Sequence, residues 1–436
     1  MKLNMKKNYS KQNGITLIAL IVTIVILLIL AGVTLNAVFS DNGIIKMARD
    51  AQTKTDQGVQ KDLEPMGELE DLINKNAGEN KGEEAVKIST MVGKGAVTKN
   101  TKAEDAYGNK ITIPKGFKVL PHNPTSSTGA VTYTYNEDNI PAVQDGIVIE
   151  DTQTETAGNQ FVWVPVGTIK NKSDDSKGAT STITLGRYSD FTMTNGAVAS
   201  GQPAQVASVE NCTKVVPINT NYQELSTSRA GNTATNSTAQ NATARNLAEF
   251  ISTSLSNGGY YIARFEASGT ASKITSKYNQ PVLTYITQPN AAQTARNMYG
   301  DTTDYASDLV NSYAWDTAII FIQTYSGKTD YASYNEGKTT KAFTATGKNN
   351  DKYCNIFDMS GNAYEWTTEY STSSYGSDFY PCVYRGGYFF TDLDRAGSYT
   401  SDRNGNLTTN RFSNSGLRPL LYVKQHWPLV RNYDVS

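Results

Sequence analysis

NIFDMSGNAYEW (355–366) decides the reading of this chain, together with YRGGYFF (384–390) and SGLRPLLYV (415–423), which follow it in that order. Met359-Ser360-Gly361-Asn362 is a tight-turn signal flanked by two carboxylates, Asp358 and Glu365. Arg385 and Arg418 each sit in a strand motif, where a guanidinium pairs more readily with a buried carboxylate than with a ligand, and Glu365 is one candidate partner. Trp366 reads as core.

Around these motifs, residues 88–424 have one texture. Short β-rich runs alternate with Gly, Asn, Ser and Thr: ITIPKGFKVL, VTYTY, GIVIE, QFVWVPVG, GGYYIARFEA and YPCVYRGGYFF. NLAEFISTSL (246–255) reads as a helix. So does AWDTAIIFIQTY, with Ser312 as its N-cap and Gly327 as its stop. Strands dominate and a few helices pack on them, an α+β pattern. Residues 226–245 are mostly Ser, Thr and Asn and read as a surface insertion. No repeat of fixed period is present.

The chain has 436 residues, 19% of them charged, with Lys+Arg 40 against Asp+Glu 41 and a net charge of −1. That balance offers no field for nucleic acid. Two histidines (His122, His426) and three cysteines (Cys212, Cys354, Cys382) are too few for an ordinary zinc or iron–sulfur site. No phosphate loop, nucleophile elbow or H-E-x-x-H motif occurs. Tyrosine is over-used, at 26 residues, and after residue 353 it alternates with Ser, Asn, Asp and Gly. Such a mixture combines rigid amphipathic rings with adaptable hydrogen bonding, as binding loops do. The plainer alternative is a secreted β-rich domain with polar loops and no ligand.

At the other end, no charge occurs between Lys11 and Asp41. The apolar core Ile15 to Val33 spans roughly 28 Å as a helix, close to a bilayer's hydrocarbon thickness. Lys2, Lys6, Lys7 and Lys11 precede it, so the charge rule holds residues 1–13 in the cytoplasm and sends the rest outside. Residues 40–87 form a helical stem and linker, interrupted by Gly58 and Pro65.

Two resemblances follow. KQNGITLIALIVTIVILLILAGV resembles a type IV prepilin leader and pilin helix. This implies a leader over 1–14, cleavage after Gly14 by a prepilin peptidase, methylation of Ile15, and a transmembrane helix over 15–39 that either anchors the chain or joins other pilin subunits. The family's usual first Phe and fifth Glu are Ile15 and Ala19 here, which weakens the case for a major pilus subunit. The three C-terminal motifs resemble the formylglycine-generating enzyme-like (sulfatase-modifying factor) superfamily, a variant of the C-type lectin fold. GGYYIARFEA and SYAWDTAIIFIQ look like its earlier strand and helix. The same fold carries the variable ligand-binding proteins of diversity-generating retroelements. The expected architecture is therefore a pilin-type helix followed by a C-type lectin-like head over 88–424 and a tail over 425–436.

Enzymes of that family bind copper through a cysteine pair between the RGG and Gly-x-Arg motifs. The corresponding stretch, Tyr388 to Ser415, has no cysteine, so the resemblance implies a binding fold and no enzyme. Its ligand, a protein or glycan, would meet Tyr388, Phe389, Phe390, Tyr399, Asp402, Asn404, Asn406, Asn410, Phe412 and Asn414. Several of these residue types also arise by adenine-targeted mutagenesis, the retroelement signature. Calcium is the one cofactor implied, at positions matching Asp358, Gly361, Ala363 and Glu365. Cys354 and Cys382 precede two segments that should be neighbours in this fold, and outside the cell a disulfide is expected between them. The expected product is a membrane-anchored or pilus-associated surface protein, adhesin-like.

Overall fold

The computed structural model describes residues 84–121 and 140–424, apart from 174–175, 195–196, 199–202, 211–216, 219–220, 227–240, 339–341, 376–377 and 390–398. The leader with Gly14 and Ile15, the transmembrane helix, the stem, the VTYTY run, Cys212, Phe390 and the tail lie outside the described residues. None of the helices among the described residues is long and apolar enough to cross a membrane. A compact unit begins at Glu84. Residues Val86–Lys87, read as linker, pair in parallel with Ala103 and Glu104 and so belong to the head.

Two sheets carry the architecture. The larger has six strands: β1 (Phe117–Val119), β2 (Val148–Asp151), β3 (Gln160–Pro165), β5 (Gly259–Ala263), β6 (Tyr305–Leu309) and β11 (Pro419–Val423). Their order is β6-β11-β5-β3-β2-β1, antiparallel throughout. β3, β5 and β11 are buried at every position, which explains their unbroken apolar runs: both faces of the sheet are covered. Alternate residues point to opposite sides. Phe161, Trp163, Tyr261 and Leu421 share one core with Ala291, Ala292 and Ala295 of helix α2 (Gln288–Tyr299). Val162, Val164, Tyr260 and Leu420 meet α1 (Leu247–Asn257) and α3 (Ser312–Tyr325) through Phe250, Ile251, Ala318 and Ile319.

Capping sets the helix ends. The side chain of Asn246 accepts from Glu249 N, and α1 stops at the left-handed Gly258. α3 is capped by Asn311, one residue before the expected Ser312, because the Asn311 side chain accepts from Ala314 N. Ser312 gives its own N–H and hydroxyl to Glu224. The sequence reading overlooked α2. Its segment is polar, and its buried face is made of alanines and Met298 rather than large aliphatics.

The smaller sheet contains β4 (Tyr222–Gln223), β7 (Tyr364–Ser371), β8 (Cys382–Arg385), β9 (Asn404–Asn406) and β10 (Ser415–Leu417). Its order is β4-β7-β8-β9, and β10 pairs with β7 in parallel. The three C-terminal motifs are therefore one central strand and its two neighbours. Glu365 sits opposite Arg385 on one side and Gly416 on the other.

Candidate functional site

Two tight turns lock the motifs together. Gly361 has φ 83° and donates its N–H to the carbonyl of Gly386, itself at φ 91°. A Cβ at Gly386 would stand 2.7 Å from the Met359 carbonyl, and one at Gly361 would stand 2.7 Å from Gly337 N. Neither position accepts another residue without backbone movement.

Beneath β8 and β9 lies a fully buried charge lattice. Arg385 bonds Asp316 at 2.7 Å and Glu369 at 3.4 Å, Arg187 bonds Glu369 at 2.7 Å, and Arg403 bonds both acids, its Nε standing 2.9 Å from Glu369. Burial pushes the Glu369 carboxyl up, but the guanidiniums of Arg403, Arg187 and Arg385 outweigh it and hold it at about 2. The lattice also grips the chain above it. Arg385 Nε donates to the Asp402 carbonyl and Nη2 to that of Ser401. Trp315 Nε1 donates to Thr400 O, and Thr400 N and Ser401 N donate to the carbonyls of Tyr334 and Ala332.

A second set of buried carboxyls lies at the other end of β7, around Glu365. Arg418 makes a fork with Glu365, Nε at 2.9 Å and Nη2 at 2.5 Å, and gives its remaining donors to the carbonyls of Ala263 and Phe357. Nearby, Glu266 accepts from Ala363 N and Asn362 Nδ2. Asp358 accepts from Gly347 N, and Asp351 accepts from Ser360 N and the Tyr331 hydroxyl. Burial raises Asp351 to about 8 and Asp358 to about 7, and it raises Glu266 well above the usual carboxylate range.

Of the four positions expected to hold calcium, Asp358 and Glu365 are the carboxylates. Both oxygens of Glu365 are taken by Arg418, so Asp358 is the only charged member with an oxygen to spare, Oδ1, which has no hydrogen-bond partner. Among the described residues no group of three or more His, Cys, Asp or Glu is arranged to hold a metal. The expected disulfide is corrected, because Cys354 and Cys382 are both free thiols. Cys382 lies on β8 and points at Gln288 Oε1, 3.6 Å away, in the core shared with α2. Cys354 sits in a hairpin turn at φ 45°, its carbonyl packed against Gly146 on the opposite core.

The predicted ligand residues separate into two groups. Tyr399 and Asp402 bond each other in a turn, Asn404 and Asn406 lie on β9, and Asn410 Nδ2 donates to the Asn406 side chain. These belong to the clamped part of the loop. Tyr388 and Phe389 lie instead in a row of rings. Tyr364 packs on Tyr384 (4.3 Å between centroids) and on Tyr388 (4.9 Å), Tyr388 on Phe389 (5.6 Å), and Phe389 on the exposed Phe343 (5.4 Å). Asn414 joins this row through its carbonyl, which accepts from Tyr364 N. Phe412 is exposed beside Tyr285, whose N–H its carbonyl accepts. Sequence reading missed Phe343 and Tyr285, which reach the face from earlier segments. Only long-range contacts reveal them.

Comparison with known families gives two matches. Residues 148–421 match the sulfatase-modifying factor enzyme 1-like domain, and residues 9–35 match the prokaryotic N-terminal methylation motif. Both resemblances seen in the sequence are thereby matched. No curated protein matches the chain. Among solved structures, the chain is similar to CarF (16% identity, 38% of this chain and 87% of that one, TM-score 0.28). It is also similar to Treponema denticola variable protein 1 (12%, 62% and 98%, TM-score 0.24) and to the I1 variant of the Major Tropism Determinant (14%, 78% and 98%, TM-score 0.27).

Proposed function

The chain belongs to the family of sulfatase-modifying factor enzyme 1-like domains, and from that premise we propose that it is a surface ligand-binding protein that has left the family's thiol chemistry behind. One observation carries this reading. Residues 388–415 contain no cysteine, and of the two described thiols Cys382 is buried and Cys354 half-buried, with desolvation pushing both pKa values up. Copper and disulfide chemistry both need an accessible thiolate. What the region offers instead is a rigid floor of buried ion pairs under an aromatic face, which is suited to holding a partner.

The methylation motif supports an N-terminal helix processed between Gly14 and Ile15, with the C-type lectin-like head displayed outside the cell. The ligand is a protein or glycan, met by the Tyr388–Phe389–Phe412–Asn414 side of the loop. Intact-mass analysis of the membrane-extracted chain should find a methylated Ile15 at the N-terminus. Recovery of the unprocessed chain would sink that half of the reading. Copper-dependent oxygen uptake with a thiol peptide should be absent, and its presence would restore an enzymatic role. Resequencing of codons 384–423 against codons 88–200 in cultures from single cells tests diversification. Substitutions concentrated at Tyr388–Asn414 are expected of a retroelement-diversified receptor, and a flat profile marks a fixed adhesin. The same methylation motif favours a second reading as a minor pilin, for which the protein would be found at fixed stoichiometry in purified filaments.

A further inference from the structure

Tyr285 lies outside the C-terminal loops, on the segment that leads into α2, and its backbone is left-handed at φ 61°. A side chain is disfavoured there because its Cβ crowds the following carbonyl, so glycine is the relaxed choice. Three hydrogen bonds impose the conformation. Leu283 N donates to Ala267 O, Tyr285 N donates to Phe412 O, and Ile286 O accepts from Trp366 Nε1. The ring gives little burial in return, since Tyr285 is 58% exposed. A large side chain kept on strained backbone and left in solvent is one whose contacts lie outside the molecule.

Arg411 shares this position. Its guanidinium stands 4.7 Å from the centroid of the Tyr285 ring, the residue is exposed, and it forms no ion pair among the described residues. Stacking on the ring holds the planar fork flat and ready for a carboxylate. Phe412, 38% exposed, lies alongside.

We propose that Tyr285, Arg411 and Phe412 form a docking anchor for an acidic segment of a partner protein, Arg411 taking a partner carboxylate and Phe412 the apolar side chain beside it. The proposal rests on the ligand-binding reading above and names the class of partner. Charge complementarity sets the acidic requirement, because the stacked guanidinium has no carboxylate of its own among the described residues. The breadth of the surface sets the size of the partner. Two residues beyond Phe412, the Asn414 carbonyl accepts from Tyr364 N and so ties this segment to the Tyr364–Tyr388–Phe389–Phe343 row, a set of rings more numerous than a single sugar would need. Tyr and Arg are also the side chains that dominate protein–protein hot spots.

The test uses the solubilised full chain as bait for a phage-displayed library of random peptides. Recovered peptides are then measured against Tyr285→Gly, Arg411→Gln and Tyr388→Ala. The expected peptides are rich in Asp and Glu, and Tyr285→Gly and Arg411→Gln each weaken them by about tenfold or more. Tyr285→Gly should keep or raise Tm, because it releases backbone strain. A marked fall in Tm would make the ring a structural element and overturn the proposal. So would peptides without acidic residues, no recovered peptide at all, or binding confined to carboxylated glycans. Peptides that lose affinity with Tyr388→Ala but not with Arg411→Gln would overturn this anchor and leave the ligand-binding reading standing.

Discussion

The two ends of β7 handle buried charge in opposite ways. Under β8 and β9, three guanidiniums (Arg187, Arg385, Arg403) face two carboxylates (Asp316, Glu369), and cations are in excess. At the other end, Arg418 is the one guanidinium among the described residues that faces Glu365, with Glu266, Asp351 and Asp358 nearby. In the first cluster the guanidiniums hold the Glu369 carboxyl low, while in the second burial raises the carboxyls of Glu266, Asp351 and Asp358. One strand thus carries both environments only a few residues apart. The cation-rich end is the one that supports the loop.

Four measurements put that contrast at risk, the largest expected effect first. Arg418→Ala removes the only guanidinium among the described residues that pairs with Glu365 and leaves a buried carboxylate, so a loss of about 3–5 kcal/mol is expected in denaturant titration. If Arg418→Ala is nearly neutral, the pocket is not held together by that fork. Arg403→Ala should be milder, about 1.5–3 kcal/mol, because Arg385 and Arg187 remain on the same acids. Its stronger signature is local: hydrogen exchange should accelerate across 399–406 and spare β3 and β5.

Acidity gives the third measurement. Asp351 holds its proton up to about 8 in the folded chain and only to about 4 when unfolded. Its stabilisation is complete below about pH 4 and is lost as the pH rises through 8. Glu224, raised by burial to about 7, acts in the same direction. Glu369 works the other way, but its contribution fades only as pH falls towards 2. Between pH 5 and pH 9, therefore, Tm should fall by on the order of 5 °C, and Asp351→Asn should flatten that slope. A Tm that rises with pH would contradict the neutral pocket. Last, a reductant should change nothing, because the described thiols are free and the sheet is braced by ion pairs instead. A drop in Tm with dithiothreitol would show that a disulfide matters after all.

How much of this was legible depends on the range of the interaction. The apolar runs of β3 and β5 and the helix α3 could be read because local pattern and environment agree. The preference of Arg385 and Arg418 for buried carboxylates was also legible, since a guanidinium in a strand motif has few other resting places. α2 was not, because its alanines gain burial only through a sheet supplied by distant segments. The division of the ligand loop was equally hidden. Nothing in Asp402, Asn404 or Asn406 distinguishes an anchored residue from a displayed one until Arg403 is seen reaching down to Glu369 and Asp316. The cysteine expectation failed because the strands that follow the two thiols lie near each other while the thiols themselves enter separate cores.

The continuity of β10 into β11 has a mechanical meaning. A partner that pulls on the loop near Phe412 loads β10 along its own axis, and the chain runs on through Arg418 into β11, which has a strand on either side. Tension is then resisted in shear, by several backbone hydrogen bonds that must give way together, with the Arg418 fork as a rivet at the junction. Peeling, in which bonds rupture sequentially at low force, is not available from that direction. A head built this way resists load applied along its last two strands.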